Sequence, residues 1–337
     1  MINFSFKSYD LKFNSVIRTS RGKMNTRKSW FIFLNKNNKT GIGEVAPIFR
    51  LSKETEKEII KELNFLNNNF NENYISKYPS IQFALETAKL DLQNGGKRII
   101  FKNNFTQNKI GIPINGLIWM SSFNKMKNEI ALKLSSGFNC IKIKIGSINF
   151  EKEVELIKYI RSKSDDIIIR VDANGAFKYS EVFSKLDKLS KFNIHSIEQP
   201  IKTKQFEKIK NVCCNSPIPI ALDEELIGLS NYEEILSFIK PQFIVLKPSL
   251  IGGFSFCNTL INFAIKNKIG YWITSALESN IGLNSLAQWT STLENNYYQG
   301  LGTGNIYSNN FNSPLYLKND KLFFYKTNKW DLHNLNV

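Results

Sequence analysis

Five short apolar segments between Cys140 and Gly253 constrain the fold most strongly, because each of them ends in charged residues. These residues are, in chain order, Lys142 and Lys144, Asp172, Glu198, Asp223 and Lys247. Successive segments lie roughly 24 to 28 residues apart, which is the length that one strand, one helix and two loops occupy. The repeat predicts a (β/α) barrel, in which the carboxyl ends of all strands open on one face. We therefore expect the charged side chains to converge at that face.

The rest of the predicted barrel follows the same alternation. Its first strand is expected at Ile112–Ile118, and its last two strands are expected at Tyr271–Ser275 and Tyr298–Gly304. Amphipathic helices are predicted between successive strands. The expected fold class is therefore α/β, a modified (β/α)7β TIM-type barrel.

A smaller domain is predicted next to the barrel. Apolar and polar residues alternate from Ile2 to about Leu34, which indicates antiparallel strands with one solvated face. We interpret the basic segment Arg18–Arg27 as a loop rather than a strand. Helices are predicted to begin at a cap on Ser52 and at Pro79. Together these elements indicate an α+β domain.

The domain boundaries follow from where the patterns change. Alternation of apolar and polar residues returns after about Asn310, so the carboxyl-terminal tail is expected to join the smaller domain. We therefore assign residues 1–110, completed by residues 311–337, to an α+β capping domain. Residues 111–310 are assigned to the catalytic barrel.

Charge and cysteine content bound the class of protein. The net charge is +16, but the basic residues are scattered, without a basic run or a basic repeat interleaved with aromatic residues. A nucleic-acid partner is therefore not predicted, whereas attraction of a small anionic substrate is. The four cysteines lack the spacing of metal ligands or of a secreted disulfide framework, which favours a reducing, cytoplasmic compartment. No apolar run reaches membrane-spanning length, and no signal indicates an oligomeric state.

Three carboxylates at the ends of consecutive strands predict a metal site. Asp172, Glu198 and Asp223 offer only oxygen ligands, which suit a hard divalent cation such as Mg²⁺, with Mn²⁺ as a substitute. Glu224 and Glu225 are adjacent to Asp223, which we prefer because it comes first after the strand. The alternative is that each carboxylate only accepts hydrogen bonds within a loop or at the N-cap of a helix.

The lysines predict the chemistry. Lys142 and Lys144 lie two apart on one strand, so both side chains point to the same side, and the alternating isoleucines assign that side to the barrel interior. A second ammonium group and a nearby metal lower the pKa of a lysine, which makes it a usable base. Lys247 approaches from the other side of the carboxylates. The implied reaction is removal of a proton α to a carboxylate, with a metal stabilising the enediolate.

The combination of these motifs resembles a known family. Lys-x-Lys, then Asp, Glu, Asp and Lys on successive strands are similar to the muconate-lactonising branch of the enolase superfamily. Within that branch, five further segments resemble the o-succinylbenzoate synthase family. They are Gly43–Pro47, Pro79–Glu86, Ile112–Trp119, Ser275–Ser279 and Gly300–Gly304. The resemblance covers nearly the whole chain.

This resemblance implies a reaction and a catalytic base. The family dehydrates 2-succinyl-6-hydroxy-2,4-cyclohexadiene-1-carboxylate to 2-succinylbenzoate, a step of menaquinone synthesis. Lys144 would remove the α-proton and return it to the departing hydroxyl, which gives a syn elimination. Lys247 would stabilise the enediolate from the opposite ring face. Lys142 would tune Lys144 and contact the substrate carboxylate.

The resemblance also implies metal ligands and substrate contacts. Mg²⁺ would be bound by the three carboxylates at the strand ends, Asp172, Glu198 and Asp223. Ser275 and the backbone of Gly302 would lie near the succinyl group. Arg170 would be either an anion partner or part of a salt bridge inside the barrel mouth. The segments Arg18–Arg27 and Pro47–Leu51 would cap the mouth, and Phe49-Arg50 departs from the smaller residues, including glycine, of relatives.

Several alternatives use the same residues. Two lysines on opposite faces of an enediolate also suit 1,1-proton transfer, as in N-succinylamino acid racemases and dipeptide epimerases. The Asp-x-Asp typical of dipeptide epimerases is missing from the segment Gly302–Asn305. A muconate-type cycloisomerase is a further member of the same branch. The alternative of another class, a non-catalytic basic binding protein, predicts loss of a ligand or a lysine, and all are present.

Overall fold

A three-stranded antiparallel sheet and two helices form the first part of the computed structural model, which describes residues 1–19 and 22–335. These elements are β1 (Asn3–Thr19), β2 (Gly22–Lys36), β3 (Lys39–Val45), α1 (Glu56–Asn69) and α2 (Pro79–Gln93). Asn37 and Asn38 join β2 to β3, and both have positive φ. A two-residue turn of this kind matches the twist of the strands it joins.

Helix α2 packs closely on β3 because two glycines of that strand carry no side chain. A Cβ atom on Gly43 would lie 1.9 Å from the carbonyl oxygen of Ala84, and one on Gly41 would lie 2.1 Å from that of Ala88. The close approach buries Trp30, Ile32 and other apolar residues between sheet and helices. The Gly-x-Gly pattern is therefore a packing requirement of the cap.

The segment predicted as a basic loop is a hairpin of paired strands. Residues 18 and 19 end β1 and Gly22–Arg27 begin β2, with Ile17 opposite Met24 and Thr19 opposite Gly22. Ser20 and Arg21 lie outside the described residues. The prediction of a loop is wrong because much of this ribbon is exposed, so backbone pairing forms it without an apolar alternation to mark it.

The first helix begins at a different cap from the predicted one. Thr55 is the N-cap of α1: its side chain accepts from the amide of Glu58 at 3.3 Å, and the Glu58 carboxylate accepts from the amide of Thr55 at 2.8 Å. Ser52 instead accepts from the amide of Ile48 at 2.9 Å and closes a turn. Only Thr55 has a glutamate three residues later to complete a capping box. The helix predicted from Pro79 is confirmed.

The second part of the chain alternates strands and helices. Its elements, in chain order, are β4 (Ile112–Pro113), β5 (Gly116–Ile118), α3 (Phe123–Ser135), β6 (Cys140–Lys144), α4 (Phe150–Arg161), β7 (Ile168–Asp172), α5 (Val182–Ser190), β8 (Ile194–Glu198), α6 (Phe206–Asn215), β9 (Ile220–Leu222), α7 (Tyr232–Ile239), β10 (Phe243–Leu246), α8 (Pro248–Ile251), α9 (Gly253–Lys266), β11 (Gly270–Ile273) and α10 (Asn280–Thr290). Strands β5 to β11 form one parallel sheet in sequence order. Its largest apolar cluster contains residues of both strands and helices.

A short eighth segment closes this sheet into a barrel. Gln299 pairs with Ile114 and Gly300 pairs with Thr274, so the segment bridges the two ends of the sheet. The amide of Gln299 donates to Pro113 at 2.8 Å, and that of Gly300 donates to Ile273 at 2.7 Å. The predicted barrel and its short eighth segment are therefore confirmed. Its first strand is shorter than predicted: Gly116–Ile118 belong to the barrel sheet, whereas Ile112–Pro113 pair with a strand of the carboxyl-terminal tail. All strand carboxyl ends open on one face.

The carboxyl-terminal tail contacts both parts of the chain. It forms β12 (Leu315–Lys318) and β13 (Lys321–Phe324), and β13 pairs with β4 at the entry to the barrel. Leu332 and Leu335 pack in the same apolar cluster as Phe31 of the cap sheet. The return of the tail is as predicted, whereas the exact domain boundaries stay a prediction.

Over residues 1–19 and 22–335, no helix has both the length and the apolar character that crossing a bilayer requires.

All four cysteines are free thiols: Cys140, Cys213 and Cys257 are buried, and Cys214 is exposed.

Candidate active site

A cavity of about 450 Å³ lies at the carboxyl-terminal face of the barrel, between the strand ends and the cap. Its floor contains residues in or just after the carboxyl-terminal halves of barrel strands: Lys142, Lys144, Asp172, Lys247, Ser275 and Gly302. Its roof contains residues of the β1–β2 hairpin and of the turn after β3: Lys23, Met24, Arg27, Phe49 and Arg50. Both predicted capping segments therefore lie over the mouth of the barrel.

The two lysines of β6 contact carboxylates of the next two strands. Register places Lys144 beside Asp172, and Asp172 beside Glu198. Nζ of Lys142 lies 2.6 Å from Oε2 of Glu198 and 3.1 Å from Oδ2 of Asp172. Nζ of Lys144 lies 2.9 Å from the same oxygen of Asp172. The prediction that both lysines face the barrel interior is confirmed.

Lys247 approaches from the other side of this cluster. It follows β10, and its ammonium group pairs with the carboxylate of Asp223, which follows β9. Asp223 is buried, and the Lys247 side chain is 13% exposed toward the cavity. The convergence expected from the strand ends is therefore observed, with Lys144 and Lys247 at opposite sides of the floor.

Burial and mutual charge set the pKa values in this cluster. Burial alone would raise the pKa of Asp172, but Lys142 and Lys144 hold it well below its usual range. Burial alone would lower the pKa of Lys142, but Asp172 and Glu198 outweigh that effect and raise it. The pKa of Lys247 is raised against its burial by Asp223 and Glu224. Carboxylates thus hold these two ammonium groups charged.

Glu198 is the least satisfied carboxylate of the cluster. Its burial and the nearby charge of Asp172 raise its pKa to about 8. Its Oε1 atom is buried and has no hydrogen-bond partner among the described residues, although Oε2 accepts from Lys142. An unpaired buried carboxylate oxygen is costly unless a cation or donor binds it.

The oxygen donors fit a divalent cation, although they do not form a closed cluster. Among residues 1–19 and 22–335, no group of three histidine, cysteine or acidic side chains has the arrangement of a ready metal site. Ammonium groups lie against Asp172, Glu198 and Asp223 instead. The donor set contains only carboxylates, which hard cations prefer, and the unpaired Oε1 of Glu198 offers one ligand position.

The structure adds residues that the sequence interpretation did not single out. Oδ1 of Asn174 accepts from Nζ of Lys144 at 2.7 Å, and Nδ2 of Asn174 donates to Oε1 of Glu224 at 2.9 Å. The ring of Trp119 lies 5.8 Å from Nζ of Lys144. The Asp-x-Asn spacing after β7 was the available signal, because a residue two beyond a strand end still faces the barrel mouth.

Three of the four residues expected to contact the substrate line the cavity, and Lys142 is one of them. Ser275 and Gly302 line it, and Oγ of Ser275 is 2.7 Å from Oγ1 of Thr303. Arg170 is buried one layer deeper, because it precedes Asp172 by two residues on β7. Its guanidinium stacks 3.9 Å from the ring of Trp272 and donates to the carbonyl oxygen of Tyr298 at 2.7 Å. The structure therefore does not bring Arg170 to the cavity.

His195 lies at the amino end of β8, away from the cavity. Its ring packs 4.9 Å from Phe243, 6.3 Å from Trp272 and 6.0 Å from Tyr297. Burial, with a smaller contribution from the charge of Arg170, lowers its pKa from 6.5 to about 4. His195 is therefore neutral in the folded protein at neutral pH.

This histidine should make the protein sensitive to acid. The unfolded chain takes up a proton on His195 below pH 6.5, whereas the folded chain takes it up only near pH 4. The free energy of unfolding should therefore fall by up to about 3 kcal/mol between those pH values. His195→Gln should flatten this part of the profile in denaturant titrations, whereas Tyr297→Phe, which keeps the packing, should not. An equal slope in His195→Gln and wild type would contradict the assignment.

Two family models match this capped barrel. Residues 125–321 match the model described as "Enolase C-terminal domain-like", and residues 1–92 match "MenC, N-terminal domain". The first match covers more than half of the chain. The chain therefore belongs to the enolase superfamily.

Similar proteins identify the family of this chain within the superfamily. The o-succinylbenzoate synthase of Desulfotalea psychrophila is 40% identical, and the match covers 93% of this chain and 96% of that one. The crystal structure of MenC from the same organism has a TM-score of 0.85 at 37% identity and covers 96% and 99% of the two chains. The chain therefore belongs to the o-succinylbenzoate synthase family, whose members are lyases.

A more distant structure shares the fold. The o-succinylbenzoate synthase of Thermosynechococcus elongatus BP-1, solved with Mg in its active site, has a TM-score of 0.75 at 20% identity. The match covers 88% of this chain and 92% of that one.

Proposed function

We propose that this protein catalyses the metal-dependent syn dehydration of 2-succinyl-6-hydroxy-2,4-cyclohexadiene-1-carboxylate to 2-succinylbenzoate, within menaquinone synthesis. The observation that carries the proposal is the pair of lysine side chains, Lys144 and Lys247, that flank the cavity floor from opposite sides. The family and its 40% identical relative named o-succinylbenzoate synthase support the same reaction.

Lys144 is assigned both proton transfers. As a neutral amine it removes the proton α to the substrate carboxylate, and as an ammonium it protonates the leaving hydroxyl, so that water departs and the ring becomes aromatic. One residue on one ring face gives syn stereochemistry. Asn174 and Asp172 accept from Nζ of Lys144 and orient it toward the cavity.

Lys247 is assigned the stabilisation of negative charge from the opposite face of the substrate ring. Its raised pKa keeps it an ammonium, which stabilises negative charge that develops on the substrate. Asp172, Glu198 and Asp223 would hold Mg²⁺ or Mn²⁺, which would supply further positive charge beside the substrate carboxylate. Ser275 and the backbone of Gly302 are proposed to contact the succinyl chain.

The cavity suits an anionic substrate. Its roof carries Lys23, Arg27 and Arg50, and its floor carries three lysines. With a net charge of +16, the surface adds long-range attraction for an anion. The four free cysteines favour the reducing cytoplasm as the location of this activity.

A second candidate is 1,1-proton transfer, as in N-succinylamino acid racemases. Lys144 and Lys247 lie on opposite sides of the floor, which is the geometry that removal and return of a proton on opposite faces requires. Deuterium incorporation at Cα of N-succinylamino acids in deuterated water would reveal it.

The deciding experiment follows the cyclohexadiene substrate by absorbance with purified protein. We expect conversion to the aromatic product in Mg²⁺ and its loss in EDTA, with recovery when Mg²⁺ or Mn²⁺ is restored. Folded, Mg²⁺-supplied protein that leaves the substrate unchanged would overturn the proposal and leave racemisation as the function to test.

A further inference from the structure

We propose that Glu278 is a positioning residue for Lys247 and acts on it through Ser249. Arg27 of the cap holds the turn next to Glu278 in place. The inference rests on the proposed function, because Lys247 has a chemical role only there. None of these contacts involves the predicted metal ligands.

Glu278 joins two turns of the barrel mouth from beneath. It is fully buried and lies just beyond the turn that follows β11. Its Oε1 atom accepts from the hydroxyl of Ser249, and its Oε2 atom accepts from the amide of Ala276 at 2.8 Å. Ser249 comes two residues after Lys247, and Ala276 comes directly after Ser275. One carboxylate thus ties the turn that carries Lys247 to the turn that carries Ser275.

Ser249 connects Glu278 to the short helix that begins directly after Lys247. Helix α8 is only four residues long and starts directly after Lys247, whose carbonyl oxygen accepts from the amide of Leu250 at 2.8 Å. A helix this short has little stability of its own, so tertiary contacts must hold it. Ser249 is fully buried in its first turn and anchors it to Glu278. The direction in which the Lys247 side chain leaves the backbone therefore depends on this hydrogen bond.

Arg27 connects the same turn to the cap. The guanidinium group of this buried β2 residue donates a hydrogen bond from Nη1 to the carbonyl oxygen of Ala276 and one from Nη2 to that of Ala46. Burial raises the pKa of Glu278, and the positive charge of Arg27 opposes that shift. The charge of Arg27 therefore favours the ionised form of Glu278, which accepts hydrogen bonds from Ser249 and Ala276.

The turn itself is held in a strained conformation. Leu277 has a φ of +65°, which a leucine rarely adopts, and its side chain lines the cavity. Its carbonyl oxygen accepts from the hydroxyl of Tyr307 at 2.6 Å. Such a conformation persists where surrounding contacts impose it, and Glu278, Arg27 and Tyr307 supply those contacts. The result is a mouth that is ordered before the substrate binds.

The test compares Ser249→Ala and Glu278→Ala with Asp91→Asn. Asp91 is also a buried carboxylate, but it accepts from the amides of Ile42 and Arg98, away from both turns. We expect Ser249→Ala to lower kcat about tenfold with KM within about twofold, because a misplaced Lys247 loses contact mainly in the transition state. Glu278→Ala should lower kcat further. Asp91→Asn should lower Tm without changing kcat.

The conservative variant Glu278→Gln separates loss of the hydrogen bonds that position Lys247 from loss of side-chain packing. In Glu278→Gln the amide oxygen can still accept from Ala276 and the amide nitrogen can donate to Ser249, so kcat should recover relative to Glu278→Ala. If Ser249→Ala and Glu278→Ala only lower Tm, as Asp91→Asn does, the inference is wrong. Ser249→Ala is the milder change and keeps the test valid if Glu278→Ala does not fold.

Hydrogen exchange tests the inference independently of turnover. The amides of residues 247, 249–251 and 275–279 should exchange faster in Glu278→Ala than in wild type, and at the wild-type rate in Asp91→Asn. Unchanged exchange in residues 247 and 249–251 would overturn the inference even in an active enzyme. An inactive wild type with the expected exchange would overturn the proposed function alone.

Discussion

Replacement of Lys144 by alanine should lower kcat for dehydration by about 10³- to 10⁴-fold, because one residue performs both proton transfers. Alanine leaves no group at the floor of the cavity that can remove the α-proton on that face. Lys144 lies at the end of β6 with its side chain 14% exposed, so truncation opens space toward the cavity rather than in the core. Circular dichroism should therefore show a folded barrel.

Lys188→Ala is the matched control for this variant. Lys188 lies on α5 and pairs with Glu151 at 2.6 Å on the surface, where both side chains are more than half exposed. Loss of such a pair has little effect on stability and should have none on kcat. Turnover near the wild-type rate in Lys144→Ala would remove this residue from the mechanism.

Asp172→Asn should lower both activity and the response to Mg²⁺, with kcat reduced by about 10²-fold or more. One oxygen of Asp172 lies 3.1 Å from Lys142 and 2.9 Å from Lys144. A neutral amide leaves these two ammonium groups without their shared counterion, which is costly in a buried site. It also removes one anionic oxygen ligand from the proposed cation site.

Thermal unfolding separates the two effects of Asp172→Asn. Mg²⁺ that binds the folded wild type should raise its Tm progressively with Mg²⁺ concentration, whereas the variant should show little or no increase. Asp187→Asn, an exposed change on α5, should keep both the Mg²⁺ response and the activity. An unchanged Mg²⁺ response in Asp172→Asn would exclude Asp172 from the cation site.

The barrel and the composition of its floor were predictable because both depend on local patterns. Each β-strand is an apolar run, and each charged residue comes where the run ends, so Lys144, Asp172 and Lys247 could be located without tertiary information. The Lys-x-Lys spacing also predicted the facing of Lys142, since side chains two apart on a strand share a side.

Other features depended on neighbours that are distant in sequence. Arg170 has the same strand face as Asp172, but its depth in the barrel and its contact with Trp272 follow from the closure of the sheet. The distal part of the β1–β2 hairpin, where Lys23, Asn25 and Thr26 are exposed, has no apolar alternation that would predict its pairing. Asn174 became a partner of Lys144 only through the register of β6 and β7.

The sequence by itself determined the order of strands and helices, the charged residues at the strand ends and the family to which they point. Those properties arise from periodicity and residue type along the chain. Only the tertiary structure decided which ammonium meets which carboxylate, how Glu278 links the Lys247 and Ser275 turns, and how Arg27 secures the cap. Such contacts join segments up to 249 residues apart, and they are selected by packing and by the need to pair buried charges rather than by any local propensity.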